Sequence, residues 1–284
     1  MPARTGYKPG MPCWADLSSA DLAVSVAFYE GLFGWRAEFD PRPEAGGYGY
    51  FRQRDKLVAG IALAFDRARP SAWNAYIAAD DAEPVALKVK EAGGHVVTGP
   101  VQVFDEGTMA VFRDPSGAAF MVWQAGRHHG AQLVDEPVAL CRLHLDTRDP
   151  MAARSFYPAV FGWGSRTSPD GRYTEWLADG RPVAGMPTQP GPPASAPEAH
   201  AGAIAPEART GSAVPEAGTG AVAAPDARWL VCFAVADCDA TSALAEPWGG
   251  GVLRPPSDLP IGRLAVLADP HDASFAVVTP RSPR

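Results

Sequence analysis

Pro12-Cys13-Trp14-Ala15-Asp16-Leu17-Ser18-Ser19-Ala20-Asp21 returns 128 residues later as Leu140-Cys141-Arg142-Leu143-His144-Leu145-Asp146-Thr147-Arg148-Asp149. The match runs on without a gap, because Phe28-Tyr29 recurs as Phe156-Tyr157 and Phe33-Gly34-Trp35 as Phe161-Gly162-Trp163. Repetition over this span marks a tandem duplication. Further along, Val58-Ala59-Gly60 matches Val183-Ala184-Gly185, Trp73 to Asp81 matches Trp229 to Asp237, and Asp114-Pro115 matches Asp269-Pro270. The offset falls to 125 and then rises to 156 and 155, so the second copy carries an insertion of about thirty residues between Gly185 and Trp229.

The insertion is visible by composition. From Gln189 to Asp226 there is no aromatic residue, and Pro-Glu-Ala recurs at Pro197, Pro206 and Pro215 with a nine-residue period. Such a tract cannot bury enough apolar surface to offset its ordering entropy, which predicts a disordered loop carrying no site. The chain of 284 residues then divides into a first domain over 1–126, a linker over 127–138 and a second domain over 139–284 with the insertion at 189–226.

Within each copy a short apolar strand ends in polar residues and an Asp suited to cap the next helix, Leu22 to Phe33 or Met151 to Phe161. Gly34 and Gly162 follow as helix stops. Strands broken by turn residues come next, with Asp179-Gly180 as a hairpin signal. The same plan then runs once more in each copy, from Trp73 and from Trp229. Strand, helix and three strands therefore occur four times, an α+β fold of four βαβββ modules.

Hydrophobic residues make up 46% and charged residues 20%, as in an ordinary globular chain. The formal net charge of −7, without any Lys/Arg cluster, argues against nucleic acid and against an anionic membrane as partners. No apolar run approaches the ~18 residues of a membrane span, and no apolar signal segment follows Met1, which predicts a cytoplasmic protein. Cys13, Cys141, Cys232 and Cys238 form no CxxC pair and read as reduced, mostly buried thiols. No phosphate loop, nucleophile elbow or nicotinamide fingerprint is present, so no nucleotide cofactor is expected.

Four such modules, with Asp…Phe-Tyr…Phe-Gly-Trp after the first strand and Asp114-Pro115-Ser116-Gly117-Ala118-Ala119-Phe120 before the last, resemble the vicinal oxygen chelate superfamily. That superfamily includes glyoxalase I, extradiol dioxygenases and bleomycin-resistance proteins. The opening stretch, the Val-Ala-Gly strand and the Trp-led strand look most like its two-domain actinobacterial members, among them accessory proteins of anthracycline-type antibiotic pathways. The resemblance implies two tandem glyoxalase-like domains, each a cupped mixed sheet whose concave face holds a ligand.

In metal-using members of that superfamily the ion is held by His, Gln or Glu on three strands of the cup. Carried onto this chain, the three positions fall at Trp14, Asn74 and Met121 in the first domain and at Arg142, Leu230 and Ala276 in the second. None of the six is His, Glu, Asp or Cys, so no metal and no other cofactor is expected. The two-residue strand period puts Trp14, Asp16, Asn74, Tyr76, Met121 and Trp123 on the first concave face. The second face carries Arg142, His144, Leu230, Cys232, Ala276 and Val278.

The first set suits a flat-walled slot, because aromatic faces stack and Met adapts to polycyclic shapes. Asp16 reads as an acceptor for a ligand hydroxyl, with a raised pKa if left unpaired. The expected ligand-binding residues are thus Trp14, Asp16, Asn74, Tyr76, Met121, Trp123, Arg142, His144 and Cys232. His128-His129, in the linker, reads as a surface pair without a role.

The leading expectation is a metal-free binding protein that sequesters or carries a small hydrophobic aromatic natural product, polyketide or antibiotic. The alternative is a cofactor-independent cyclase, isomerase or ring-opening enzyme with His144 as base and Arg142 stabilising negative charge. A pathway enzyme or a second copy of the chain is the further partner to consider.

Overall fold

The computed structural model describes residues 3–65, 70–189 and 227–281, so the insertion expected at 189–226, with His200, lies outside the described residues but for Gln189. In the first copy the order is β1 (Pro12–Ser19), α1 (Leu22–Phe33), β2 (Arg36–Phe39), β3 (Gly49–Gln53), β4 (Lys56–Leu63), β5 (Ala72–Ala78), α2 (Ala82–Glu91), β6 (His95–Val103), β7 (Gly107–Arg113) and β8 (Ala119–Ala125). The second copy repeats it: β9 (Leu140–Thr147), α3 (Pro150–Phe161), β10 (Gly164–Thr167), β11 (Tyr173–Ala178), β12 (Arg181–Pro187), β13 (Ala227–Ala234), α4 (Cys238–Ala245), β14 (Gly251–Leu259), β15 (Gly262–Ala268) and β16 (Ser274–Pro280).

Each helix is capped by the carboxylate the sequence places before it. Asp21 accepts from the Ala23 and Val24 amides, Asp81 from Glu83, Asp149 from Ala152 and Asp237 from Ala240. Gly34 and Gly162 close α1 and α3 at φ 68°, a left-handed turn that glycine takes without a Cβ clash. The short strands β2 and β10, which the sequence reading does not locate, are exposed edge strands with little apolar signal.

Every copy forms one eight-stranded sheet, ordered β2-β3-β4-β1-β5-β8-β7-β6 and β10-β11-β12-β9-β13-β16-β15-β14. The two modules of a copy meet at the antiparallel β1–β5 or β9–β13 pair, while β1–β4 and β5–β8 run parallel. One face of each sheet, holding Ala15, Leu17, Ala75, Leu143, Leu145 and Val231, joins the helices in a single core shared by both copies. The opposite faces form two separate apolar clusters, one per cup.

The repeated motifs build the junction between the copies. Tyr29 lies in α1, accepts a hydrogen bond from its own copy's Trp73 Nε1 at 2.8 Å and donates to Asp269 of the other copy at 3.4 Å. Tyr157 reciprocates, accepting from Trp229 Nε1 at 2.9 Å and donating to Asp114 Oδ2 at 2.8 Å. The second oxygen of each aspartate organises its own turn, Asp114 accepting from Ser116 and Ala118 amides and Asp269 from His271 and Ala273. Burial raises both carboxyls, Asp269 to about 6. The indoles of the Gly-Trp pairs also cross over, Trp35 Nε1 donating to the Val138 carbonyl and Trp163 Nε1 to that of Gly10.

Candidate functional site

A β-bulge interrupts the pairing near the start of β1 and of β9. Cys13 and Cys141 fill these bulges, their thiols donating to the Tyr76 and Cys232 carbonyls at 3.6 and 3.3 Å. All four cysteines are free; Cys13, Cys232 and Cys238 are buried and Cys141 half-buried.

Next to the bulge, each copy uses a glycine to seat a tyrosine. A Cβ on Gly60 would lie 2.1 Å from Tyr48 Oη and 2.8 Å from Asp16 Cβ, and one on Gly185 would lie 2.5 Å from the Tyr173 ring. The Val-Ala-Gly repeat is thus explained: the tyrosine crosses the strand at glycine to reach the polar side chain in the middle of the first strand. In the first copy that group is Asp16, in the second His144.

Asp16 is buried and accepts from Asn74 Nδ2 at 2.8 Å, Tyr76 Oη at 2.8 Å and Tyr48 Oη at 3.3 Å. Burial raises its pKa and these neutral donors pull it partly back. Asp16, expected to receive a ligand hydroxyl, takes three internal donors that fix the cup wall and leave about one of its four acceptor positions free. Burial also raises Tyr48 and Tyr76 well above the usual phenol range, keeping both as donors.

Over this wall opens a cleft with a cavity volume of about 100 Å³. Trp14, Tyr50, Tyr76, Met109 and Trp123 give it an aromatic and thioether lining. Trp14 Nε1 donates to Tyr48 Oη at 3.0 Å, which fixes the indole plane. At the mouth Arg42 forks onto Asp40, with Nη2–Oδ2 at 2.6 Å, and reaches Glu106 at 3.5 Å, so one guanidinium spans the loop of the first module and the β6–β7 turn of the second.

His128 completes the cleft, contrary to its reading as a linker residue without a role. Its ring meets Trp14 edge-on, with centroids 4.5 Å apart and planes at 81°, and lies 5.7 Å from Trp123 and 6.0 Å from Tyr50. Burial lowers its pKa to about 4, so the imidazole is neutral near pH 7.

Of the residues expected to bind ligand, Trp14, Asp16, Tyr76 and Trp123 line this cleft. Asn74 and Met121 border a smaller gap beside Arg113 and Arg228 at the junction of the copies. Arg142 lines a different, more polar cleft with Asp135 and Arg181, and pairs with Glu175 at 3.4 Å. His144 and Cys232 are fully buried in the second cup. Tyr48, Tyr50, Met109, Arg42, Glu106 and His128 are among the cleft residues that the sequence reading misses. The Tyr48–Gly60 and Tyr173–Gly185 pairs share one twelve-residue spacing, the signal that could have found Tyr48.

The second cup is packed. Leu230, Cys232, Leu264, Val266, Ala276 and Val278 fill it, each nearly or wholly buried. His144 Nδ1 shares a hydrogen bond with Tyr173 Oη at 3.1 Å, and Nε2 faces Asp146 at 3.5 Å. Burial alone would raise Asp146, but His144, Arg254 and Arg228 around it hold its carboxyl well below the ordinary range.

Neither cup suits a divalent ion. In the first, Asp16 is already hydrogen-bonded, Asp40 and Glu106 at the mouth are paired with Arg42, and His128 is the one imidazole of the lining; in the second, two guanidiniums crowd the one carboxylate beside His144. Among the described residues no three His, Cys, Asp or Glu side chains converge as metal ligands. No helix among the described residues is long and apolar enough to cross a membrane.

Paired βαβββ modules wrapped around two cups define a glyoxalase-like fold. The chain belongs to the Glyoxalase/Bleomycin resistance protein/Dioxygenase superfamily, whose description matches residues 14–122, with a Glyoxalase-like domain matched over 142–278. It is 38% identical to the anthracycline biosynthesis protein DnrV of Streptomyces peucetius, over 96% of this chain and 94% of that one. It is also 36% identical to CFP32 of Mycobacterium bovis, whose name carries a provisional glyoxylase designation, over 99% and 98% of the two chains. The Mn(II)-bound glyoxalase from Novosphingobium aromaticivorans shares the fold at TM-score 0.59 and 14% identity, covering 96% of this chain and 82% of that one.

Proposed function

We propose that the protein is a metal-independent binding protein that holds a planar, hydrophobic aromatic natural product, of anthracycline-like polyketide class, in the first-domain cleft. Its role is biosynthetic accessory or resistance: sequestering or carrying the compound without needing to change it. The observation that carries this reading is the lining itself, where Trp14, Tyr50, Tyr76 and Trp123 flank an apolar cleft with few polar groups. The near full-length likeness to DnrV, named for anthracycline biosynthesis, supports the ligand class.

Catalysis by His144 and Arg142 finds less support. His144 is 1% exposed under Tyr173, and Arg142 lines a separate cleft, so the two present no shared opening to a substrate. Binding is tested by quenching of tryptophan fluorescence with 1,8-dihydroxyanthraquinone as the probe. Trp14→Ala should weaken the complex roughly tenfold, the scale of a lost aromatic contact plus its buried area. Unchanged affinity in that variant would remove the first-domain cleft from the reading.

A further inference from the structure

A buried polar atom without a partner costs stability unless something binds to it. Among the described residues His128 Nε2, Trp176 Nε1 and His271 Nε2 are such side-chain nitrogens, while His144 Nε2 and Arg228 Nε, also without a hydrogen bond, still face Asp146 at 3.5 and 3.6 Å. Of these residues only His128 lines the aromatic cleft.

The backbone that carries the imidazole is pinned. The Gly126 and His128 amides donate to the Glu106 carbonyl at 2.8 and 3.0 Å, and the Arg127 amide to that of Asp105 at 3.0 Å. Trp123 Nε1 donates to the His128 carbonyl at 2.8 Å. The segment after β8 is thereby pinned to the same β6–β7 turn whose Glu106 meets Arg42 at the mouth. Rings of Trp14, Tyr50 and Trp123 lie around the imidazole and leave Nε2 almost no exposed surface, so a partner for Nε2 has to come with a molecule that enters among those rings and parts them.

Stacking alone does not tell one flat hydrocarbon from another. A buried nitrogen does, because a site built to hydrogen-bond an oxygen rejects the analogue that lacks it by leaving its own group unpaired. We propose that His128 is the specificity residue of the cleft, exchanging a hydrogen bond through Nε2 with a hydroxyl or keto oxygen carried on the ring of the bound aromatic molecule. This rests on the reading of the cleft as an aromatic-binding site.

The test compares 1,8-dihydroxyanthraquinone, 9,10-anthraquinone and anthracene, three flat tricycles differing in their oxygens, against wild type, His128→Phe and His128→Gln. Phe keeps the ring edge against Trp14 and removes the nitrogen; Gln keeps polar groups and removes the ring. His128→Phe should bind dihydroxyanthraquinone about tenfold more weakly and anthracene no less tightly than wild type. His128→Gln should recover part of the loss. Anthraquinone assigns the group: a loss with it as well means that the carbonyl is the partner, a loss only with the dihydroxy compound means the hydroxyl. Equal effects of His128→Phe on dihydroxyanthraquinone and anthracene would overturn the proposal and leave His128 as wall. Failure of wild type to bind any of the three would instead overturn the aromatic-binding reading beneath it.

Discussion

Tyr157→Phe is expected to lower the unfolding free energy by about 3 kcal/mol, because one deleted hydroxyl strands two buried partners. Its oxygen accepts from Trp229 Nε1 at 2.9 Å and donates to Asp114 Oδ2 at 2.8 Å, and neither group has water to turn to. The Tm should fall by roughly 5–10 °C for a chain of this size. Tyr29→Phe should cost less, since its contact to Asp269 is 3.4 Å. Both variants would be compared in urea melts. If Tyr157→Phe costs under 1 kcal/mol, or if Tyr29→Phe costs more, the reciprocal tyrosines are not what holds the copies together.

The second large effect falls on the ligand. Gly60→Val places methyl groups where Tyr48 Oη and Asp16 now sit, at 2.1 and 2.8 Å from the first added carbon. Tyr48 has to leave the strand, and it then gives up its contacts to Asp16 and to Trp14 Nε1. The indole loses its tether, the displaced phenol is forced toward the cleft, and affinity for dihydroxyanthraquinone should drop at least a hundredfold, about 2.7 kcal/mol. Gly185→Val makes the same clash with Tyr173 in the packed second cup and should reduce stability while leaving the affinity of the folded protein within about twofold. Similar affinity losses in the two variants would mean that the ligand does not sit in the first cup.

The duplication makes much of this fold readable from residues alone, because each motif occurs twice and each has a physical task. Asp before a helix, Gly after it and alternating apolar strands fix the elements locally. The strand period also puts Trp14, Asp16, Tyr76 and Trp123 on the cup face, as β1–β5 and β5–β8 pairing requires. What repeats, however, is the junction: Phe-Tyr, the leading Trp and Asp-Pro meet across the two copies, which no spacing within one copy reveals. The cup is where the copies diverge, with Trp14 against Arg142, Asp16 against His144 and Tyr76 against Cys232. One cup stays open and aromatic while the other fills with aliphatic side chains.

His128 was illegible for a different reason. It belongs to no strand, and its place in the cleft comes from backbone hydrogen bonds to the distant β6–β7 turn. The closing pair at the mouth, Arg42 with Glu106, is equally long-range in sequence. Loops that close a site carry no periodicity from which to read them.

The central claim is recognition by stacking and neutral hydrogen bonds in the first-domain cleft, without a metal ion. Calorimetric titration with 1,8-dihydroxyanthraquinone, on protein dialysed against EDTA and on the same protein resupplied with Mn(II), Zn(II) or Fe(II), addresses it directly. The account predicts one ligand per chain and a Kd unchanged within about twofold across all samples. Binding that appears only when the ion is returned would contradict it.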